Sequence, residues 1–113
     1  MDCIFCKIVA GAIPSDILYR DEKVIAFRDI NPQAPVHLLI VPRQHIATLV
    51  DLPDADTPLI GHMAKVANRL AREQGVAKSG YRMVVNCGKE GSQLVQHLHM
   101  HLLGGRSLSG QLG

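Results

Sequence analysis

The stretch HLHMHLL, residues 97–103, indicates a β-strand because polar and apolar residues alternate along it. Neighbouring side chains of a strand point to opposite faces, so we expect His97, His99 and His101 to share one face. The apolar residues between them then face a hydrophobic core, packed against a helix. The alternation therefore predicts three histidines side by side on one surface of a sheet.

One long helix is predicted in the middle of the chain. Thr57 offers an N-cap and Pro58 suits the first helical position. Apolar residues then recur at helical spacing from Leu59 to Leu70, and Gly75 can end the helix.

Short strands surround this helix in the sequence. The candidates are Leu18–Arg20, Val24–Arg28, Val36–Val41 and Tyr81–Asn86, with a hairpin turn at residues 21–22. Residues 3–9 form a short helix or an apolar arm. Strands, one helix and then two strands, without βαβ alternation, predict an α+β fold with an antiparallel sheet.

The composition limits the class of protein. The chain has 113 residues, of which 47% are hydrophobic and 19% charged, which fits one globular domain over residues 1–113. A net charge of +2 is too small to favour nucleic acid or an anionic membrane as a partner. There is neither an apolar run of ~18 residues nor a signal-peptide pattern, and the three cysteines cannot all pair. We therefore expect a cytoplasmic protein with reduced thiols.

Three histidines on one face suit two kinds of chemistry. Neighbouring histidines lie about 6.6 Å apart along a strand and can share one metal ion. The outer two lie about 13 Å apart, too far for one zinc ion at ~2.1 Å per nitrogen. Alternatively, the middle histidine attacks phosphorus while its neighbours bind the phosphate oxygens. The plain alternative is three solvated histidines on an exposed face.

Cys3 and Cys6 have the spacing of a zinc half-site. The alternatives are two buried cysteines on one helix face, or a redox pair, which usually follows a strand. His45 and His97 are the candidates for the other two ligands. Two thiolates and two imidazoles close a tetrahedral site with no open position, so such a zinc is structural. With His97 on the metal, the other two histidines of residues 97–103 remain for catalysis.

Several separated motifs resemble the histidine-triad (HIT) family, in particular its Hint branch. They are HLHMHLL at 97–103, FRDINPQAPVH at 27–37, YRMVVN at 81–86 and GGR at 104–106. The resemblance implies a five-stranded antiparallel sheet with one long helix and a short N-terminal helix, joined to a second sheet across a homodimer. It also implies hydrolysis of purine nucleoside 5′-phosphoramidates to the nucleoside monophosphate and an amine.

The resemblance also implies roles for individual residues. His99 corresponds to the nucleophile that forms a nucleotidyl-histidine, and His37 and His101 to the histidines beside it. Asn86 corresponds to a residue near the phosphate, and Asp29 to the carboxylate that binds the ribose hydroxyls. The implied base pocket and nucleotide-binding loop include Phe27, Ile30, Ile4, Phe5, Ile8, Ile13 and Gln93. Members with the same opening bind zinc at the positions of Cys3, Cys6, His45 and His97.

Three of these residues also have a purely structural interpretation. Asp29 can accept hydrogen bonds from two ribose hydroxyls, or it can cap a turn. His37 interrupts an apolar strand, so it is either a hydrogen-bonded core residue or part of the histidine cluster. Asn86 precedes a glycine-containing loop and could serve that turn alone.

The chain departs from the family pattern in the loop before the triad and at its end. Ser92 and Leu94 stand where many relatives have glycine and serine. Ser92 restricts the loop if a positive φ is required, and Leu94 lacks a hydroxyl that can assist the leaving amine. Residues 107–113 lack the Trp-Pro-Pro-Gly ending that reaches the partner subunit's site in some relatives. The departures therefore bear on the choice of leaving group.

The leading hypothesis is a dimeric phosphoramidase with structural zinc and no catalytic metal. One alternative is a dinucleoside polyphosphate hydrolase, which would use the same histidine on a P–O bond. A second is a nucleotide-binding regulatory module whose role needs no turnover. A third is a zinc scaffold in which the histidine strand serves assembly.

Overall fold

The computed structural model describes residues 3–113. A five-stranded sheet has the order β1-β2-β3-β5-β4, and every neighbouring pair is antiparallel. The strands are β1 (Ile17–Arg20), β2 (Val24–Arg28), β3 (Val36–Pro42), β4 (Tyr81–Val84) and β5 (Met100–Gly104). The helices are α1 (Ile4–Val9) and α2 (Pro58–Glu73), with 3-10 turns at Leu49–Asp51 and Asp54–Asp56. The predicted α+β architecture is confirmed.

Helix α2 begins and ends where the sequence predicts, with Pro58 in its first turn and Gly75 beyond its end at φ 76°. The predicted capping role of Thr57 is wrong. Its hydroxyl donates to the carbonyl of Asp54, because the preceding 3-10 turn runs directly into the helix. Among residues 3–113, neither helix is both long enough and apolar enough to cross a membrane.

The sheet separates two hydrophobic layers. One face packs against α2 through alternate residues of three strands, namely Val24, Ala26, Val36, Leu38, Ile40, Met100 and Leu102. The other face packs against Phe5 and Ile8 of α1 through Ile25, Phe27, Leu39 and Val41. The predicted alternation is confirmed for Met100 and Leu102, which face α2. The polar side chains of β3 and β5 therefore lie on the α1 side of the sheet.

Strand β5 is shorter than predicted, since it begins at Met100 rather than His97. The partner strand β3 ends at Pro42, which has no N–H to continue the ladder. The N–H of Leu98 donates instead to the carbonyl of Ile46 over 2.7 Å. The first part of the histidine segment therefore follows the loop after β3 rather than the sheet.

Strand β4 ends at Val84 rather than at the predicted Asn86. Val84 lies opposite His101, and β5 begins one residue earlier, at Met100. The residues after Val84 therefore run beyond their partner strand. β4 forms the outer edge of the sheet next to β5.

The predicted hairpin turn between β1 and β2 is held by Asp21. Its Oδ1 accepts the N–H groups of Lys23 and Val24, and its Oδ2 accepts the hydroxyl of Tyr19 and lies 2.7 Å from Nε2 of His62. Burial raises the pKa of this carboxyl, but the hydrogen bonds outweigh it and hold the pKa well below its ordinary value. The network ties the turn to α2, on the side of the sheet away from α1.

Candidate active site and metal centre

A cavity of about 520 Å³ opens on the α1 side of the sheet, within the size range of small-molecule sites. It gathers residues from α1, β2, β3, β5 and the loops around them. The predicted site residues that line it are Ile4, Phe5, Ile8, Ile13, Phe27, Asp29, Ile30, His37, Asn86, His99 and His101. Sequence positions nearly one hundred residues apart therefore meet in one site.

The walls on one side of the cavity are apolar. The rings of Phe5 and Phe27 meet edge to face with centroids 5.5 Å apart. Ile30 is 93% exposed at the rim, and Ile4 is 46% exposed on α1. Large apolar groups left open to solvent around a cavity are typical of a binding site that contacts the flat or apolar part of a small molecule.

His37 and His101 are joined within the cavity. Nε2 of His37 lies 2.9 Å from Nδ1 of His101, and the N–H of Gln33 donates to Nδ1 of His37 over 3.0 Å. Because Nδ1 of His37 accepts a hydrogen bond, its hydrogen lies on Nε2, which donates to His101. His101 then carries its own hydrogen on Nε2, directed away from His37. The hydrogen-bonded series from Gln33 through His37 to His101 therefore presents one donor to a ligand, the Nε2–H of His101.

Burial keeps both of these imidazoles neutral. It lowers the pKa of His101 to about 4, with the charges of His99 and His37 acting in the same direction. Burial likewise lowers the pKa of His37, against the opposing charge of Asp29. The predicted alternative of three solvated, exposed histidines is wrong, because His97 and His99 are buried and His101 is partly buried.

His99 is held in the tautomer that a nucleophile needs. Its Nδ1 lies 2.7 Å from the backbone carbonyl of His97, which can only accept, so Nδ1 carries the hydrogen. Nε2 is therefore left with its lone pair. The ring also packs edge to face on Phe5, with centroids 5.1 Å apart. A buried histidine fixed at one nitrogen and basic at the other is suited to attack on phosphorus.

Asp29 lies at the cavity rim, where its carboxylate makes two contacts. Oδ1 accepts the N–H of Asn31 over 2.8 Å, and Oδ2 lies 3.3 Å from Nε2 of His37. The turn-capping interpretation is thus confirmed, but the same carboxylate also lines the cavity and adjoins the histidine chain. Its oxygens retain lone pairs for a ligand hydroxyl.

The loop after β4 closes the cavity from the side. The amide of Asn86 donates to the carbonyl of Gly91 over 2.7 Å, and a side chain at Gly91 would collide with the carbonyl of Cys87. Ser92 has φ 61°, a left-handed conformation that is costly for a residue with a side chain. Leu94 is 91% exposed at the rim.

The structure separates Gln93 from the other predicted nucleotide-binding residues. Its side chain is buried away from the cavity lining, and it bonds to the backbone. Oε1 accepts the N–H of Gly88, and Nε2 donates to the carbonyls of Ala47 and Val95. With its polar atoms engaged in this way, the side chain supports the loop rather than facing a ligand.

A second cluster beside the cavity brings together Cys3, Cys6, His45 and His97. The sulfur of Cys3 lies 3.3 Å from Nδ1 of His97, the sulfur of Cys6 lies 3.3 Å from Nδ1 of His45, and the two Nδ1 atoms are 3.2 Å apart. Zinc bonds of about 2.1 and 2.3 Å at tetrahedral angles require donor separations of about 3.4–3.8 Å. The four donors are thus close to a tetrahedral set.

The hydrogen bonds of His97 fit metal binding. Its Nε2 lies 2.8 Å from the carbonyl of Pro42 and must carry the hydrogen, which leaves the lone pair of Nδ1 for a cation. Burial lowers the pKa of His97 and favours the neutral form that binds metals. The N–H of Cys6 donates to the sulfur of Cys3, as expected at a thiolate ligand. The chemistry of the donors therefore fits a zinc ion.

Asp29, His37 and His101 are also close enough together to share an ion, but their donor chemistry differs. The N–H of Gln33 occupies Nδ1 of His37, so the hydrogen lies on Nε2, the atom that a metal would need. A cation would have to displace that proton and leave an imidazolate. These residues fit a hydrogen-bonded chain better than a metal site.

Comparison with known proteins identifies the family. The family model described as scavenger mRNA decapping enzyme C-term binding matches residues 2–113. A HIT family hydrolase from Legionella pneumophila Philadelphia 1 superposes with a TM-score of 0.96 at 46% identity, over 99% of this chain and 100% of that chain. The chain belongs to the histidine-triad family.

Two further HIT comparisons bear on chemistry. A purine nucleoside phosphoramidase of Escherichia coli (strain K12) is 48% identical over 111 residues, which cover 98% of this chain and 93% of the relative. A zinc-bound histidine triad protein from Mycobacterium smegmatis superposes with a TM-score of 0.83 at 34% identity, over 94% of this chain and 76% of that chain.

Sequence reasoning missed part of the site of this HIT protein. Pro14, Ser15, Leu39 and Val95 line the cavity, and the N–H of Gln33 sets the tautomer of the histidine chain. Leu39 could have been found, since it is two residues after His37 on the same strand. The contribution of Gln33 has no sequence signal because it comes from the backbone.

Proposed function

We propose that this HIT protein hydrolyses the P–N bond of purine nucleoside 5′-phosphoramidates through a nucleotidyl-histidine at His99. The single observation that carries the proposal is the hydrogen bond from Nδ1 of His99 to the carbonyl of His97. It leaves the basic nitrogen of a buried imidazole in a cavity of nucleotide size. The relationship to a phosphoramidase at 48% identity supports the same reaction.

The proposed reaction proceeds in two displacements. In the first, Nε2 of His99 bonds to the α-phosphorus, the P–N bond breaks, and the amine leaves after gaining one proton. In the second, water attacks the phosphorus and the bond from phosphorus to His99 breaks. The water gives up one proton in this step and the amine takes up one in the first, so the two steps together consume one water molecule and no net proton. The products are the nucleoside monophosphate and the amine.

The neighbouring residues stabilise charge on the phosphoryl group. Nε2–H of His101 donates to a phosphoryl oxygen, and His37 holds the His101 ring in the correct tautomer. Asn86 lines the same cavity and is proposed to contact the phosphoryl group as well. Each of these groups is fixed before substrate binds, so little reorganisation accompanies the transition state.

The rest of the nucleotide occupies the apolar half of the cavity. The purine lies between the side chains of α1, Phe27 and Ile30, and the carboxylate of Asp29 accepts the ribose hydroxyls. Apolar walls hold adenine and guanine alike, so the purine class rather than one base is proposed.

The cluster of Cys3, Cys6, His45 and His97 is the proposed zinc centre, with four protein ligands and a structural role. When bound, zinc supplies a covalent link between α1 and the loop after β3. The same family contains a zinc-bound member, from Mycobacterium smegmatis.

We further propose that the chain is one HIT domain over residues 1–113 and that it acts in the cytoplasm as a homodimer. Strand β4 lies at the edge of the sheet, and pairing with a second copy would extend the sheet and cover that edge. Light scattering on the purified protein tests this assembly, and a monomer at micromolar concentration contradicts it.

The function is tested by turnover of adenosine 5′-phosphoramidate beside a diadenosine polyphosphate. Wild type should release AMP and amine, and His99→Ala should lose turnover while still binding AMP. His62→Ala is the matched control, because His62 lies on the α2 side of the sheet. Cleavage of the polyphosphate alone would favour the alternative hydrolase. AMP binding without turnover of either compound would favour a binding module.

A further inference from the structure

We infer that the metal centre positions the catalytic nucleophile and the base pocket, so that zinc binding and nucleotide binding strengthen one another. The inference rests on the proposed zinc centre and nucleotide site. It assigns Cys3, Cys6 and His97 a positioning role in addition to holding the fold together. Two independent connections between the cluster and the cavity carry it.

The first connection runs through the backbone of one metal ligand. The side chain of His97 belongs to the cluster through Nδ1, while its carbonyl accepts the hydrogen bond from Nδ1 of His99. Nε2 of His97 is fixed at the same time by the carbonyl of Pro42. Because the ring and the carbonyl belong to one residue, a shift of the His97 backbone that follows loss of the cluster also displaces the carbonyl that determines the tautomer and direction of His99.

The second connection runs through helix α1. Cys3 and Cys6 hold one side of this short helix at the cluster, and Phe5 lies between them in the sequence. The Phe5 ring contacts the rings of His97, His99 and Phe27, with centroid distances of 5.9, 5.1 and 5.5 Å. The helix that two of the proposed ligands fix thus forms one wall of the cavity.

A cation is what makes these connections rigid. Without one, two thiols face two imidazole nitrogens, and Nδ1 of His45 and Nδ1 of His97 stand 3.2 Å apart. Helix α1 has only six residues, too few to hold itself in place. We expect it to loosen when the metal leaves.

Coupling of this kind is reciprocal. If zinc raises the affinity for AMP by a given factor, AMP must raise the affinity for zinc by the same factor. We expect about tenfold, within the usual range for coupled sites. This equality holds by thermodynamic necessity and checks that the two titrations agree, whereas the coupling itself is tested by whether the factor exceeds one.

The experiment measures AMP affinity by calorimetry with zinc-loaded and metal-free protein, and zinc affinity with and without saturating AMP. It is run below the melting temperature of the metal-free form, so that both forms are folded by circular dichroism. Equal gains of about tenfold support the inference. Binding of both ligands with unchanged affinities contradicts the coupling but not the proposed function. Failure to bind zinc contradicts the metal centre, and failure to bind AMP contradicts the nucleotide site; in both cases the coupling is contradicted as well.

A spectroscopic measurement separates positioning from general stability. Nitrogen-15 shifts of the His99 ring report which nitrogen carries the hydrogen. In Cys6→Ser we expect the Nδ1–H form to lose population, and in the matched control Cys87→Ser, outside the cluster, we expect no change. An unaltered His99 tautomer in folded, zinc-free Cys6→Ser would overturn the inference.

Discussion

Nε2 of His37 lies 2.9 Å from Nδ1 of His101, while the backbone N–H of Gln33 occupies the other nitrogen of His37. A single main-chain donor therefore determines which nitrogen carries the hydrogen, first in His37 and then in His101. The Nε2–H of His101 is directed away from His37, and burial keeps both imidazole rings neutral.

Replacement of His37 tests the histidine chain. His37→Leu removes the donor to His101, so we expect kcat to fall about 10- to 100-fold with KM nearly unchanged. His37→Gln should restore part of the rate because its amide can still donate. Steady-state kinetics with adenosine 5′-phosphoramidate measures both effects, and a kcat of His37→Leu equal to wild type would refute the role.

Asp29 is expected to recognise the ribose. In Asp29→Ala, KM for a ribonucleoside phosphoramidate should rise about 10- to 100-fold, the loss expected for a hydrogen bond to a charged group. The 2′,3′-dideoxy substrate should bind wild type and variant alike. Asp16→Ala is the control, since Asp16 pairs with Arg28 and lies outside the cavity lining. An equal effect on both substrates would argue against ribose recognition.

His101 makes stability depend on pH. Its folded pKa of about 4 lies below the ordinary value of 6.5, so the unfolded chain binds its proton first as the pH falls. Its contribution is intact above pH 6.5, is lost on the way down to pH 4 and amounts to on the order of 3 kcal/mol. Urea unfolding at several pH values should show wild type losing stability relative to His101→Gln. Parallel pH curves would contradict the burial of a neutral His101.

The loop after β4 should tolerate change at one position and not at its neighbour. Gly91→Ala places a methyl group against the Cys87 carbonyl, so we expect a loss of about 1–3 kcal/mol and reduced activity. Ser92→Gly relieves a positive φ and should change stability by less than about 1 kcal/mol. Thermal unfolding compares the two variants, and equal tolerance at both sites would show that the loop relaxes freely.

Removal of the metal should lower the thermal stability. A ligand that binds only the folded chain at 100 times its Kd adds about 2.7 kcal/mol, so we expect the Tm to fall by roughly 10 °C in a chelator. Zinc should restore it in wild type but not in Cys6→Ser. An unchanged Tm in the chelator would be incompatible with a structural zinc.

The fold could be predicted because its main signals are local. The alternation of residues 97–103 assigned Met100 and Leu102 to the core facing α2, and the N-terminal proline and following glycine set the bounds of α2. The start of β5 could not be predicted, because it depends on a hydrogen bond. The N–H of Leu98 donates to the carbonyl of Ile46 rather than to a neighbouring strand. This hydrogen bond is a tertiary contact between distant parts of the sequence, which local patterns do not reveal.

The site was predicted through residue identity and missed where the backbone contributes. The cluster of Cys3, Cys6, His45 and His97 follows from residue types that bind zinc. The tautomers of His37 and His99 depend instead on main-chain groups of Gln33 and His97, which every residue possesses. For Gln93 the residue type pointed to nucleotide binding, but its side chain hydrogen-bonds to the backbone of the loop and lies outside the cavity lining.

Covalent catalysis through His99 is tested most directly by intact-mass spectrometry of protein quenched within milliseconds of mixing with adenosine 5′-phosphoramidate. We predict an adenylate adduct on wild type that forms and decays as AMP appears, and no adduct on His99→Ala. AMP release with undiminished turnover in His99→Ala, or a wild type that forms neither adduct nor AMP, would contradict the proposed mechanism.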